Sequence, residues 1–305
     1  MIPYKGRSIV SLKDMAKDEL LYLLDRAKEV KNKKISNILE GKIVASLFFE
    51  PSTRTRLSFE SAVLSQGGTV FGFSDPGGTS VKKGETLTDT IKTVTGYCDA
   101  IVMRHNNEGA ARRASEVASV PVVNGGDGSN QHPTQTFLDL FTMLEKKGSL
   151  DGKVVGLMGD LKYGRTTHSL AMALTHFNVK LHFIAPKELS IPEQYYDYLK
   201  AKKIDFVHST LESSGKELDF LYCTRIQKER FYDPMEYERV AGSYKLDKAS
   251  LELLKKDTYI MHPLPRVDEI ATEIDDDPRA IYFEQAHNGV PVRSALLALV
   301  IGTIK

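Results

Sequence analysis

Apolar residues along the chain fall into two recurring patterns, one helical and one strand-like. Leu20, Leu21, Leu23, Leu24, Ala27 and Val30 return at helical spacing, and Gly41 closes that region. Residues 42–49, KIVASLFF, form an unbroken β-rich apolar run and predict a buried strand. A helix with Phe59, Ala62, Val63 and Gln66 on one face follows and stops at Gly67-Gly68. Residues 75–84, DPGGTSVKKG, read as a loop, after which Leu87, Ile91 and Val94 mark another helix. DAIVMRH and VPVVN predict short strands around a polar helix, EGAARRASEVA. Pro133 suits a first helical turn, where its missing N–H costs nothing, and Phe137, Phe141 and Leu144 carry that helix to Gly148.

A second alternation begins with the strand KVVGLM and a helix through Ser169–His176. KLHFIAP then precedes a helix near Gln194–Lys202, and DFVHS, DFLYC, TYIMHP and AIYF read as further strands before a last helix around Val292–Ile301. Short apolar strands separated by helices predict an α/β protein with parallel sheets covered on both faces. The expected architecture is two doubly wound parallel-sheet domains joined by interdomain helices. The 305 residues suit two domains of about 150 residues each. The expected division is 1–133 with 288–305, and 134–287.

Composition narrows the function classes. A net charge of +1 argues against broad nucleic-acid or acidic-membrane binding, which shows as an excess of Lys and Arg, but it permits a local basic pocket. No run of about 18 apolar residues is present, and the start MIPYKGRSIV lacks an apolar signal core, so a cytoplasmic location is expected. Cys98 and Cys223 lie in separate apolar contexts and read as buried free thiols. His262 and His287 lack neighbouring ligands at metal spacing, so no metal and no cofactor is expected.

Candidate chemistry concentrates first in LFFEPSTRTRLSFE, residues 47–60. A helix start needs one capping hydroxyl, whereas Ser52, Thr53 and Thr55 supply three, with Arg54 and Arg56 beside them. In parallel sheets ligands bind beyond the carboxyl ends of strands, where helix N-termini point. Ser52–Thr55 would offer free N–H groups and hydroxyls to phosphate oxygens, and Arg54 a charged fork. Arg56, two residues on, would point away into a structural ion pair.

FFEPSTRTR resembles the phosphate motif of the carbamoyltransferases. TSVKKGETLTDT, DAIVMRHNNEGAAR, DGSNQHPTQTFLDLF, MGDLKYGRTTHSL, TRIQKERF and MHPLPRVDEI follow in order, and together the blocks resemble the catalytic chains of the aspartate carbamoyltransferase family over essentially the whole length. The resemblance implies transfer of a carbamoyl group from carbamoyl phosphate to the amino group of L-aspartate, an early step of pyrimidine synthesis. It also implies a homotrimer with active sites shared between neighbouring subunits, and it allows a separate regulatory chain as partner without requiring one.

Residue by residue, the resemblance assigns Ser52, Thr53, Arg54 and Thr55 to the phosphate, and Thr55, Arg104 and His132 to the carbamoyl oxygen. Arg54 would stabilise departing phosphate, and Gln135 with the backbone at Leu264-Pro265 would accept from the carbamoyl NH2. Arg165 and Arg225, with Gln227 in support, would clamp the aspartate carboxylates, since a guanidinium holds a carboxylate in two parallel bonds. Ser80 and Lys83 would come from the neighbouring subunit, although Ser80 stands one residue nearer the lysine pair than in the family's best-known pattern. Local sequence leaves blander alternatives open: Arg104 as a charge closing a strand, His132 as a cap, HPLP as a rigid turn, Lys82 and Lys83 as solvated surface. GDLKYGRT lacks the G-x-G-x-x-G of a dinucleotide loop.

Two rival functions remain. Ornithine carbamoyltransferases share the phosphate half but typically carry a cysteine in the turn that reads MHPLP here. A non-catalytic anion-binding protein would need Ser52–Thr55 but not the further sets.

Overall fold

The unbroken apolar runs form interior parallel strands, buried on both faces and therefore without polar alternation. The structure is a computed structural model that describes residues 4–128 and 130–305. Nine strands are assigned among these residues, and we number them in chain order. In the first sheet, β1 (Ile43–Phe48) lies between β2 (Thr69–Phe73) and β3 (Ala100–His105), and β4 (Val122–Asp127) flanks β3, so the order is β2-β1-β3-β4. In the second, β5 (Val154–Met158) is central between β6 (Lys180–Ile184) and β8 (Phe220–Cys223), with β7 (Asp205–His208) and β9 (Tyr259–Met261) at the edges. Every ladder is parallel. The protein is thus an α/β chain with two parallel-sheet domains.

The chain divides into two compact units, Met1–Phe141 with His287–Lys305, and Thr142–Ala286. The first division falls inside the helix Pro133–Lys147 and the second inside Tyr282–His287. In the first unit, Ala45, Leu47, Ile101 and Met103 of the sheet pack with Ile91, Ala110 and Ala114. The helix Gly289–Ile301 packs against the helices Lys17–Lys31 and Thr53–Leu64 of that unit. In Lys17–Lys31 the buried residues are Leu20, Leu23, Leu24, Ala27 and Val30, the face the spacing predicts. In the second unit, Met158, Leu221, Cys223 and Ile260 pack with Leu251, Ile270, Ile274 and Tyr282.

Two readings of the chain need correction. AIYF is not a strand: Ala280 makes one isolated bridge to Ile260, and the helix Tyr282–His287 begins immediately afterwards. Tyr282 is fully buried, and its hydroxyl accepts from Arg266 Nη1 at 2.9 Å, so this residue of the run packs inward at the start of the helix while Phe283 is exposed. Conversely β2, TVFGF, does not stand out in the sequence, because it is a half-exposed edge strand. Gly72 is required there, since a Cβ would fall 1.9 Å from the Ser46 carbonyl of β1.

Among the described residues no helix is long and apolar enough to cross a membrane.

Candidate functional site

Strand order locates the ligand-facing ends of each sheet. In β2-β1-β3-β4 the order reverses between β1 and β3, and in β7-β6-β5-β8-β9 between β5 and β8. Ligands bind outside the carboxyl ends of strands at such reversals. Ser52–Thr55 follow β1 and Arg104 lies at the carboxyl end of β3, while Arg165 follows β5 and Arg225 follows β8.

In the first unit, Ser52 precedes the helix Thr53–Leu64, and its hydroxyl makes no capping bond. The first helical bond runs from Arg56 N–H to the Ser52 carbonyl, so the N–H groups of Thr53, Arg54 and Thr55 precede the ladder. No acidic side chain lies in that turn, which leaves the positive end of the helix dipole uncompensated from within. Arg56 pairs with Glu60 at 3.7 Å, the structural role its position suggested.

Arg104 is the register partner of Phe48, and Phe49 N–H donates to its carbonyl at 2.8 Å. The Arg104 side chain therefore emerges beside the start of the helix, where it is only 7% exposed. Its Nη1 donates to the Gly125 carbonyl at 3.2 Å, and its Nε lies 3.1 Å from Glu50 Oε2. Gly126, at φ +120°, makes room for this side chain, because a Cβ would sit 2.7 Å from Nη1 and 3.6 Å from His132 Cδ2. The His132 ring is buried, with Nε2 3.4 Å from Thr55 Oγ1 and Nδ1 3.5 Å from Thr134 Oγ1. Both distances are long for hydrogen bonds. Gln135 donates its amide NH2 to Asp139 Oδ1 at 2.8 Å. A carboxylate only accepts, so this bond fixes the amide and leaves the Gln135 oxygen as an acceptor.

Ser80 and Lys83 lie in a short 3-10 turn, Ser80–Lys83, capped by the Thr79 hydroxyl and closed by Gly84 at φ +94°. Both residues are exposed.

In the second unit, Asp160 organises the two arginine-bearing loops. Its Oδ1 accepts from Tyr163 N–H at 2.9 Å, and its Oδ2 accepts from Gln227 N–H at 3.1 Å. Thr224 Oγ1 donates to the Asp160 carbonyl at 3.4 Å, and Gln227 Nε2 donates to the Tyr163 carbonyl at 2.7 Å. Burial raises the Asp160 carboxyl above its ordinary range, opposed by the N–H groups of Tyr163 and Gln227. Gly159, at φ +117°, lets the loops approach, since a Cβ would meet the Thr224 carbonyl at 2.3 Å. Arg165 opens the helix Arg165–Leu174, and Arg225 Nη1 donates to the Ile226 carbonyl at 3.4 Å.

After β9, Leu264 has φ +57° and is joined to Pro265 by a cis bond. A left-handed conformation at a residue other than glycine costs on the order of 1–3 kcal/mol and persists where its surroundings over-determine it. Leu264 N–H donates to His262 Nδ1 at 2.8 Å, and His262 Nε2 lies 2.7 Å from Glu269 Oε1.

Comparison with known proteins also finds two family domains, the second of which runs on into the helix Gly289–Ile301 that packs in the first unit. Residues 7–145 match the carbamoyl-P binding domain of aspartate/ornithine carbamoyltransferase, and residues 151–300 match its Asp/Orn binding domain. The chain is 54% identical over 300 residues to the aspartate carbamoyltransferase catalytic subunit of Bacteroides fragilis, covering 98% of this chain and 97% of that one. It is likewise 54% identical over 308 residues to that of Thermococcus onnurineus, with 99% of each covered.

The chain belongs to the aspartate/ornithine carbamoyltransferase family.

Solved structures of this family superpose closely. The catalytic subunit of M. jannaschii aspartate transcarbamoylase matches with a TM-score of 0.90 at 51% identity, over 97% of this chain and 98% of that one. The Trypanosoma cruzi enzyme in complex with carbamoyl phosphate and aspartate matches with a TM-score of 0.91 at 38% identity, over 97% of each chain.

Several supporting residues escaped the sequence reading. Asp160 was visible only as part of a turn, GDLKYG, and its reach to Gln227 is a tertiary fact. Glu50 sits inside FFEPSTRTR, but nothing local pairs it with Arg104. Gly125 and Gly126 carried a signal, as paired glycines at the end of an apolar strand suggest close approach by other groups.

Proposed function

We propose that this member of the carbamoyltransferase family transfers the carbamoyl group of carbamoyl phosphate to the amino group of L-aspartate, giving N-carbamoyl-L-aspartate and phosphate in pyrimidine biosynthesis. The observation that carries this reading is the gathering of Thr55, Arg104 and His132 beside an N-terminal helical turn whose Ser52 hydroxyl is not used as a cap. Ser52, Thr53 and Arg54, with the N–H groups ahead of the helical ladder, suit the phosphate, and Thr55, Arg104 and His132 suit the carbonyl oxygen. The Trypanosoma cruzi relative, in complex with carbamoyl phosphate and aspartate, supports both ligands.

The chemistry follows from where charge develops. The aspartate amine attacks the carbamoyl carbon, a C–N bond forms, and the carbonyl oxygen becomes an oxyanion. Thr55, Arg104 and His132 donate to it and so stabilise the transition state more than the bound substrate. Collapse breaks the bond from carbon to the bridging phosphate oxygen, and Arg54 offsets the charge on the departing phosphate. The amine proton passes to that phosphate, so no side-chain base is needed. The Gln135 oxygen and the backbone at Leu264 and Pro265 accept from the NH2 group. Arg165 and Arg225 hold the aspartate carboxylates, with Gln227 in support, and thereby orient the amine.

The exposed turn bearing Ser80 and Lys83 supports a homotrimer in which these two residues complete a neighbour's site and Lys83 meets a substrate carboxylate. The chain would work in the cytoplasm, with or without a separate regulatory chain.

The test is direct. Purified chain given carbamoyl phosphate should form carbamoyl-aspartate from aspartate and little citrulline from ornithine. Robust citrulline with no carbamoyl-aspartate overturns the assignment, and phosphate release that ignores both amino acids overturns carbamoyl transfer itself.

A further inference from the structure

His262 and Glu269 are almost fully buried, at 1% and 3% exposure, yet neither has a role in the reaction above. They accept from three N–H groups of the turn between them. Leu264 N–H donates to His262 Nδ1 at 2.8 Å, and Val267 N–H and Asp268 N–H donate to Glu269 Oε2 at 3.1 and 3.2 Å. A backbone N–H can only donate, so Nδ1 is the acceptor and the proton of the neutral ring sits on Nε2. That Nε2–H donates to Glu269 Oε1 at 2.7 Å, linking the two side chains. His262 N–H is itself held by Gln285 Oε1 at 2.9 Å, which anchors the dyad to the helix Tyr282–His287.

The tautomer is stable. Burial pushes the His262 ring pKa down against the pull of Glu269, while the hydrogen bond from His262 and the backbone N–H groups hold the Glu269 carboxyl below its ordinary range despite burial. A neutral ring beside an ionised carboxylate is the arrangement the hydrogen bonds require.

In a trans peptide, N–H and C=O point in opposite directions. Fixing Leu264 N–H on the buried ring therefore turns the Pro263 carbonyl away from it. The same bond, with φ at Leu264 held at +57°, fixes the start of the next plane, which carries the Leu264 carbonyl. Pro263 and Pro265 have no N–H to compete for these oxygens.

We infer that His262 and Glu269 are positioning residues for the acyl donor: they aim the carbonyls of the Pro263–Pro265 turn at the carbamoyl NH2 and so select carbamoyl phosphate over acyl phosphates that lack it. This rests on the functional reading above, in which the turn accepts from that NH2.

The discriminating probe is acetyl phosphate, in which a methyl group replaces NH2. Dissociation constants for carbamoyl phosphate, acetyl phosphate and inorganic phosphate would be measured for the wild type, Glu269→Gln and His262→Asn. In Glu269→Gln the introduced amide cannot accept from His262 and from both backbone N–H groups together. In His262→Asn the shorter side chain loses the bond to Glu269, so nothing holds its acceptor oxygen on Leu264 N–H and the turn is no longer aimed. The wild type should prefer carbamoyl phosphate, and the variants should lose about tenfold of that preference, the worth of one aimed hydrogen bond. Their affinity for inorganic phosphate should stay within about twofold, a pattern that simple destabilisation does not produce. If Glu269→Gln fails to fold, His262→Asn decides alone. Variants that keep the wild-type preference overturn the dyad's role, whereas a wild type that cannot tell the two acyl phosphates apart overturns the reading beneath it.

Discussion

Gly126 shows how narrowly the proposed oxyanion donors are accommodated. Its φ of +120° suits glycine alone, and any side chain would meet Arg104 Nη1 at 2.7 Å. Gly126→Ala should therefore displace the Arg104 guanidinium and lower kcat by about 100-fold or more, the typical effect of losing one such donor. Phosphate affinity, which the proposed function assigns to Ser52, Thr53 and Arg54, should change far less. Steady-state kinetics alongside phosphate binding would check this, and an unchanged kcat contradicts the placement of Arg104. At this scale the sequence was most readable where residues are conspicuous in themselves. Surplus hydroxyls and guanidinium groups at Ser52–Arg56 suggest a ligand, which binding must test, whereas the ion pair expected of Arg56 is present with Glu60 in its own helix. Asp160 and Glu269 were not readable, because their meaning lies in the backbone N–H groups they meet. Glu269 also acts through a ring seven residues earlier in the chain.

Among the elements, the helix Arg165–Leu174 is tied at its start by His168. Its Nε2 donates to the Leu161 carbonyl at 2.7 Å, and its ring stacks on Tyr195 at 4.3 Å between centroids. Burial pushes the His168 ring down from 6.5 to about 4, so the folded chain holds it neutral while the unfolded chain protonates it. With the folded value depressed, the unfolded state binds more protons between these two pH values, and stability is lost as pH falls from 6.5 towards 4. The full effect is roughly 3 kcal/mol. His168→Phe should flatten this part of the acid limb in urea melts taken between pH 7 and 4. A limb as steep as that of the wild type would contradict it. The buried strands were legible because burial on both faces requires continuous apolar sequence. The edge strand β2 was not, since its outer residues are exposed. AIYF misled because four apolar residues in a row fit a buried strand and the start of a helix equally well.

For the whole molecule, two parallel sheets each carry arginines at or just beyond the carboxyl ends of the strands where strand order reverses. If Ser80 and Lys83 are supplied by a neighbour, mixing inactive Lys83→Ala and Arg54→Ala chains should restore part of the activity, since some sites in a mixed trimer would have both residues intact. Assay of mixed trimers verified by mass would check this, and no recovery contradicts sharing. The central claim is that one ligand bearing both anions is gripped by both sets of guanidinium groups. The most direct measurement is calorimetric binding of N-(phosphonacetyl)-L-aspartate, the ligand in a solved complex of the Trypanosoma cruzi relative. One molecule should bind per chain, with Arg54→Ala and Arg225→Ala each weakening it by about 100-fold, as expected for a lost charge-assisted contact. Affinity unchanged in either variant, at full folding, would contradict the account.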